Sequence, residues 1–196
     1  DPIPLQMHYY SDPSMQEAVR DIIRSEKPDL LYAHTIRMGQ YIEPYEDIYR
    51  VLAMQISMTL NYRRLAEQAN SLPSRLFHNL EYRKVRAYEG RYARKFDKVL
   101  LISKHDLNAI ERERPESNVF FSPHGVDFEF FRPNPEVVKE PCSLVFTGNM
   151  SYTPNVDAAR FFHDEIFPLV RAEMPDVKWK IVGADPVSEI QAFQSD

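Results

Sequence analysis

The sequence predicts an α/β fold in which parallel strands alternate with helices, and two observations favour it. Short apolar runs recur along the 196 residues, and most of them precede a segment whose apolar residues have helical spacing. The alternation stops at a stretch rich in proline, residues 124–141, and restarts after it. Strands that alternate with helices are typical of parallel sheets, so the restart predicts two α/β units joined by a linker.

The first unit is predicted to span residues 1–123. Its clearest element is a helix over 76–96, which has an apolar stripe on one side and arginines and lysines on the other. Ser14 and Ser103 are expected to cap two shorter helices, because a serine hydroxyl accepts hydrogen bonds from the free N–H groups of a first turn. The predicted elements, in order, are a helix over 14–25, a strand over 30–33, a helical turn over 38–42, a strand over 51–57, the helix over 76–96, a strand over 98–102, a helix over 103–112 and a strand over 119–121.

The second unit is predicted to span residues 142–196. The apolar run 144–146 is expected to form a buried parallel strand. Pro154 suits the first turn of the following helix, because the N–H that proline lacks has no partner there, and Thr153 or Asn155 is expected to cap it. The remaining predicted elements are the helix from Pro154 to about 166, a short helix from Pro168 and a strand over 179–182.

Composition excludes several classes of protein. A net charge of −5 gives no general basic signal for nucleic acid. The single cysteine, Cys142, has no partner for an internal disulfide, which suits a reducing compartment such as the cytoplasm. No apolar run approaches the about 20 residues of a membrane span. Neither GxGxxG nor GxxxxGK[ST] occurs among the five glycines.

The turn after the first strand of the second unit is the main candidate for a ligand site. A helix that begins just after a strand presents free N–H groups and a partial positive charge, which suits a phosphate. Gly148 and Asn149 are the candidates for backbone and amide contacts to the phosphates, and Tyr152 and Asn155, which line the same loop, are further candidates for binding that ligand. The alternatives are an ordinary strand-to-helix turn, with Asn155 as a helix cap and Tyr152 as a packing residue.

Three segments carry a resemblance to a known family. They are Ser122-Pro-His-Gly-Val-Asp127 with Phe130-Phe-Arg-Pro133, the stretch from Leu144 to Gly183, and Pro28-Asp-Leu-Leu-Tyr-Ala-His34 with Phe96-Asp-Lys-Val-Leu-Leu-Ile-Ser103. Together they resemble retaining glycosyltransferases of the GT-B fold, of the large family 4 group. The Tyr152-x-Pro-Asn155 segment is similar to a subgroup that includes transferases of exopolysaccharide biosynthesis.

The resemblance implies a GT-B-like arrangement of two Rossmann-like α/β/α domains. Residues 1–123 would be the second half of the acceptor-side domain, 124–141 the hinge, and 142–196 the start of the nucleotide-sugar domain. The implied reaction transfers a sugar from a UDP- or GDP-sugar to a saccharide or lipid-linked acceptor. Such enzymes generally stabilise the leaving diphosphate with helix dipoles and cationic side chains, so no metal and no other cofactor is expected.

The chain departs from the family pattern at three places. No glycine-rich loop precedes residue 30, and the family's late Glu-x7-Glu signature would lie beyond Asp196. Asn149 and Asn155 stand where many relatives carry an Arg and a Lys for the donor diphosphate. The resemblance therefore implies a central fragment of a longer enzyme, expected to be inactive by itself.

Outside the loop, three further features are candidates for function. His34 ends a predicted strand, where ligands gather in open α/β sheets, and by resemblance it would face the reacting sugar; the alternative is a structural histidine. Arg63 and Arg64 are candidates for contacts with a phosphate or an anionic acceptor, or else a solvated pair. The basic face of residues 83–95 suits peripheral contact with the inner face of an anionic membrane, or else solvent.

Two other functional classes fit the same architecture. One is a nucleotide-sugar 2-epimerase, although the Tyr-x-Pro-Asn segment favours transfer. The other is a non-catalytic GT-B-like protein that binds a nucleotide sugar without turnover, which the missing Arg and Lys keep open. A metal site is not expected, since no Asp-x-Asp occurs and its nearest likeness, Asp127-Phe-Glu129, is interpreted as linker.

Overall fold

The computed structural model of the protein describes residues 3–113 and 118–195. The chain divides into two compact units, Asp1–Asp127 and Phe128–Asp196, and the division lies within the predicted linker of residues 124–141. Each unit contains one parallel sheet with helices, so the predicted α/β class is confirmed.

The sheet of the first unit has four parallel strands in chain order. They are β1 (Leu30–His34), β2 (Tyr49–Gln55), β3 (Lys98–Leu101) and β4 (Val119–Phe121). In register, Ala33 lies opposite Leu52, Leu52 opposite Val99, and Val99 opposite Val119. These four side chains are buried, so the core of the unit lies on the two middle strands and the helices that cover them.

Five α-helices surround this sheet in the described part of the unit. They are α1 (Leu5–Tyr9), α2 (Pro13–Glu26), α3 (Met58–Glu67), α4 (Leu72–Tyr92) and α5 (Lys104–Glu113), with 3-10 turns at Met38–Tyr41 and Ala93–Lys95. The helices α3 and α4 are joined by the loop 68–71 and pack against each other. None of the helices in the described ranges combines the length and the apolar composition that a membrane span requires.

Helix starts differ from the predictions where a better cap stands nearby. Asp12, not Ser14, caps α2: its Oδ1 accepts a hydrogen bond from Ser14 N–H at 2.7 Å, and Pro13 occupies the first turn. The hydrogen bonds from Ser14 hold the pKa of the Asp12 carboxyl below its usual range. The long helix begins one turn earlier than predicted, because Ser71 Oγ accepts from Ser74 N–H at 3.3 Å.

The second unit has a two-stranded parallel sheet and short helices. Its strands are β5 (Ser143–Thr147) and β6 (Lys178–Val182), and its helices are α6 (Thr153–Phe161), α7 (Phe167–Glu173) and α8 (Ser188–Ala192). A π-helical turn, Phe162–Ile166, joins α6 to α7, and a 3-10 turn, Phe193–Ser195, follows α8. Four buried residues form its small core: Met150, Val156, Ala159 and Ile190.

The predicted burial of the first strand in this unit is wrong, although its parallel pairing is confirmed. Val145 is 65% exposed and Leu144 is exposed as well. The reason is that the described sheet has only two strands, so the helices of the unit do not cover both of its faces.

The predicted single helix from Pro154 to about 166 is also interrupted. Helix α6 ends at Phe161, and the π-helical turn carries the chain to α7, where Pro168 stands in the first turn as predicted. A proline inside a continuous α-helix removes one hydrogen bond and clashes with the preceding turn, so the change of helical type before Pro168 avoids both costs.

Candidate functional site

The carboxyl ends of the four strands in the first unit lie at one edge of the sheet, and His34 is the last residue of β1. Its side chain is exposed, and within the described part of the chain its imidazole forms no hydrogen bond. The next residue, Thr35, has φ of 71°, and its N–H donates to Ala53 C=O at 2.8 Å. A threonine in the left-handed region is strained, and the hydrogen bond to β2 helps to hold it there.

The start of α3 at the same edge is occupied by a side chain of the protein. Glu89, in α4, accepts from Ser57 Oγ at 3.0 Å, from Met58 N–H at 2.8 Å and from Thr59 N–H at 3.4 Å. Its carboxyl is buried, and burial raises its pKa, although these hydrogen bonds lower it in part. Because the first N–H groups of α3 already hold this carboxylate, they do not offer a phosphate site.

A second carboxylate, that of Asp106, accepts a hydrogen bond from the turn between β2 and α3. Asp106 Oδ2 accepts from Ser57 N–H at 3.2 Å, and Asp106 N–H donates to Ser103 Oγ at 3.4 Å. The predicted cap by Ser103 is therefore confirmed, but the Asp106 carboxylate bonds the β2–α3 turn and not the start of its own helix. The cavity beside Glu89 measures about 30 Å³, which leaves room for no group larger than a water molecule.

Arg63 and Arg64 lie in the second turn of α3 and not in a loop at the strand end. Both are exposed, and Arg63 Nε lies 3.7 Å from Glu67 Oε1 on the same helix. An exposed pair of this kind contributes little to stability. Among the described residues, no hydrogen bond or ion pair joins either arginine to His34.

In the second unit, the two strands end in glycines that touch. Thr147 lies opposite Val182, and the next residues are Gly148 and Gly183. A Cβ atom on Gly183 would lie 1.6 Å from Gly148 O, and one on Gly148 would lie 2.7 Å from Asn155 Nδ2. The close approach of the two backbones therefore requires glycine at 183. Sequence reasoning placed Gly183 only as the end of a strand and missed this contact.

The loop 148–155 is held by its two asparagines. Asn149 Oδ1 accepts from Ser151 N–H at 2.8 Å and from Ser151 Oγ at 2.7 Å. Asn155 Nδ2 donates to Asn149 C=O at 3.0 Å across the loop. The predicted capping of α6 by Thr153 or Asn155 is wrong, because Tyr152 holds the cap position and no side chain bonds the first turn. Asn155 instead stabilises the loop through its hydrogen bond to Asn149 C=O.

Most backbone N–H groups of the loop are used inside the unit. Gly148 N–H donates to Val182 C=O at 3.1 Å, and Met150 N–H donates to Ala184 C=O at 2.9 Å. Within the described residues, the N–H groups of Asn149 and Thr153 have no such acceptor, and both residues are exposed. These two amides are therefore the donors that the loop can offer to an anion.

Tyr152 points away from the core of the unit. It is 62% exposed, so the alternative that it is a packing residue does not hold. Its exposed ring, in the residue that precedes Thr153, offers an aromatic surface on which a ring of a ligand can stack.

A cavity of about 310 Å³ opens beside Gly183 in the same unit. Its lining is mostly apolar, with two glutamine side chains, and comprises Met150, Trp179, Ile181, Gly183, Pro186, Ile190, Gln191, Phe193 and Gln194. Ligand sites of this kind usually measure about 300 Å³ or more, with an apolar lining and a few polar groups. The loop and the cavity thus meet at Gly183.

The loop does not gain a cation from the helix that follows it. Arg160 of α6 bonds Glu189 through two nitrogens and Asp157 through Nη1 at 3.0 Å. These carboxylates raise the pKa of the Arg160 guanidinium and hold it on the surface between α6 and α8. Among the described residues, no group of three or more histidine, cysteine, aspartate or glutamate side chains is arranged to bind a metal ion.

Comparison with known proteins does not identify the chain. No protein-family model matches the sequence, and no curated protein shows significant similarity to it. The family resemblance therefore rests on the motifs of the sequence, and the activity that it implies is a proposal.

Proposed function

We propose that the chain is part of a retaining glycosyltransferase of the GT-B type, and that its second unit binds the diphosphate of a UDP- or GDP-sugar. The observation that carries the proposal is the loop at the carboxyl ends of β5 and β6. It combines two unpaired amides, of Asn149 and Thr153, with the exposed ring of Tyr152 and the glycine contact at Gly183. Ligands of open α/β sheets bind at such strand ends.

In this proposal the loop acts on the leaving group. When the bond between the sugar and the diphosphate breaks, negative charge builds on the phosphate oxygens. The amides of Asn149 and Thr153 and the positive end of α6 would stabilise that charge without a side-chain cation. Tyr152 would stack on a ring of the donor, and the cavity beside Gly183 would take an apolar part of it.

The first unit is proposed to serve the acceptor, which would be a saccharide or a lipid-linked saccharide. His34 ends β1 at an edge where ligands bind, and its free imidazole nitrogens can hydrogen-bond a sugar hydroxyl. A cytoplasmic location is part of the same proposal, supported by the single cysteine.

Binding without turnover is the second candidate. It is favoured by the engagement of Arg160 with Glu189 and Asp157, which leaves the described loop without a cationic side chain. An enzyme that releases a diphosphate usually supplies such a charge. In both candidates the donor binds at the same loop.

Calorimetric titration of the chain with UDP- and GDP-sugars tests the donor site. We expect one nucleotide class to bind, and Tyr152→Ala to weaken it about tenfold, since stacking a base on an aromatic ring is worth roughly 1–3 kcal/mol. Tyr9→Ala is the matched control, because Tyr9 is also an exposed tyrosine but lies in α1 of the first unit. The absence of binding to every nucleotide sugar, or an equal loss with both variants, would contradict the proposal.

A further inference from the structure

The outward face of α4 carries an apolar stripe in its first half. Leu72, Leu76 and Leu80 recur every four residues and are 72%, 73% and 54% exposed, and the neighbouring Phe77 is 48% exposed. Residues four apart on a helix lie on one face, so these side chains form a continuous surface. Single exposed leucines are common, but a cluster of four large apolar side chains on three turns is typical of an interaction surface.

The same face also carries basic residues and no acidic one. Helical spacing places Arg83 in line with the three leucines, and Arg75 and Arg86 beside them. The acidic residues of α4 are Glu81 and Glu89, and both are buried on the opposite face. The outward face of α4 thus combines exposed leucines with arginines and carries no carboxylate.

The charge of this region is opposite to that of the whole chain. Residues 58–95 hold nine basic side chains and three acidic ones, whereas the chain has 24 basic and 29 acidic residues. The basic residues of this region are Arg63, Arg64, Arg75, Arg83, Lys84, Arg86, Arg91, Arg94 and Lys95. Ion pairs within the region or with its neighbours include Arg63 with Glu67, Lys84 with Glu81 and Lys95 with Glu43. The helix pair α3–α4 therefore presents a local excess of positive charge that complements an anionic surface.

We propose that the outward face of α4 docks on an anionic lipid bilayer, with Leu72, Leu76 and Leu80 in the interface and the arginines at the headgroups. A helix that lies in the plane of a membrane has this combination of an apolar stripe and basic flanks. Nucleic acid would satisfy the arginines but would leave the leucines in water, so the stripe favours lipid. The inference goes beyond sugar transfer and does not depend on it.

Flotation with lipid vesicles tests this surface on the full chain. Vesicles of phosphatidylcholine alone are compared with vesicles that also contain phosphatidylglycerol. Leu72→Ser with Leu76→Ser is expected to lower partition into the anionic vesicles at least about tenfold, because two buried leucines are lost. Arg75→Gln with Arg83→Gln is expected to lower it about fivefold for each charge removed, and added salt should act in the same direction.

The control is on α2, where an exposed isoleucine and an arginine stand on another helix. Ile22→Ser with Arg20→Gln removes a 58% exposed apolar side chain and one arginine, and it should leave partition unchanged. Unfolding temperatures of all variants should stay within a few degrees of the wild type, because every substituted side chain is exposed.

Three results would overturn the inference. Equal binding to neutral and anionic vesicles would show that charge has no role, and no binding to anionic vesicles would show that lipid has none. A loss with the arginine pair but not with the leucine pair indicates a purely electrostatic partner, such as a nucleic acid or an acidic protein. A dimer in sedimentation that Leu72→Ser with Leu76→Ser dissolves means that a second copy of the chain covers the stripe.

Discussion

Glu89 is a buried side chain that binds the start of α3 at the edge of the first sheet. Its carboxylate lies in the core at 3% exposure and receives hydrogen bonds from Ser57, Met58 and Thr59. Burial penalises the charged form, whereas the positive end of α3 and the three donors favour it. The net effect is a raised pKa of the Glu89 carboxyl, so protonation of this group is linked to the stability of the fold.

The pH dependence of unfolding tests this role. A raised folded-state pKa means that the folded protein holds a proton that the unfolded chain has lost. The free energy of unfolding therefore starts to fall at about pH 4 to 5, where the unfolded chain loses this proton, and it keeps falling until Glu89 ionises in the folded protein. Glu89→Gln should remove that part of the slope, which is at most about 1.4 kcal/mol per pH unit. The measurement is the free energy of unfolding in urea over a pH series.

Glu67→Gln is the control for this series, because Glu67 is an exposed glutamate of α3 with one weak ion pair. Its slope with pH should match that of the wild type. If Glu89→Gln and the wild type give parallel curves, the carboxyl titrates as in the unfolded chain and the inferred burial penalty is wrong.

Gly183 makes the second residue-scale prediction. A methyl group there would lie 1.6 Å from Gly148 O, so Gly183→Ala must separate the ends of β5 and β6. Overpacking of this kind costs about 1–3 kcal/mol. Fluorescence of Trp179, the only tryptophan of the chain, follows the unfolding of this unit in urea.

Gly125→Ala is the matched control, since a Cβ at Gly125 meets no atom within 4 Å. The change in its unfolding free energy should be within about 0.5 kcal/mol. An unchanged midpoint of urea unfolding for Gly183→Ala would show that the two strand ends do not touch as described. The described geometry of the loop would then be wrong as well.

At the scale of elements, periodicity predicted where helices and strands lie, and local side-chain chemistry decided where they begin. Asp12 and Ser14 are both good caps, and the structure uses Asp12 because Pro13 follows it and fills the first turn. The role of Glu89 was not predictable, because its three partners lie about thirty positions earlier in the chain.

The candidate loop was predicted in its position but not in its internal bonds. The order of strand, glycine and helix is visible in the sequence, because Gly148 and Pro154 are residues with strong backbone preferences. Which N–H groups remain free depends on the register of β5 with β6, and that register pairs Gly148 N–H with Val182 C=O. The sequence contains no local signal for this pairing. Asn149 is a candidate from the sequence, but the structure shows that its N–H and that of Thr153 are the ones left without a hydrogen-bond acceptor among the described residues.

At the scale of the whole molecule, the two units differ in how completely they are covered. Within residues 3–113 and 118–195, the first has four strands and a core centred on β2 and β3, whereas the second has two strands and an exposed β5. Burial depends on what packs against a strand, so the apolar run 144–146 predicted a strand correctly and its burial wrongly. The same reasoning applies to α4, whose outward leucines no described element covers.

The measurement that tests the central proposal most directly is a titration of the isotope-labelled chain with UDP- and GDP-sugars, followed by amide NMR. The account predicts that the amides of Asn149 and Thr153 shift first and most, together with that of Gly183. Amides in α7, such as that of Leu169, serve as the internal reference and should not move. Shifts confined to residues outside the loop 148–155 and the cavity beside Gly183, or no shifts with any nucleotide sugar, would contradict it.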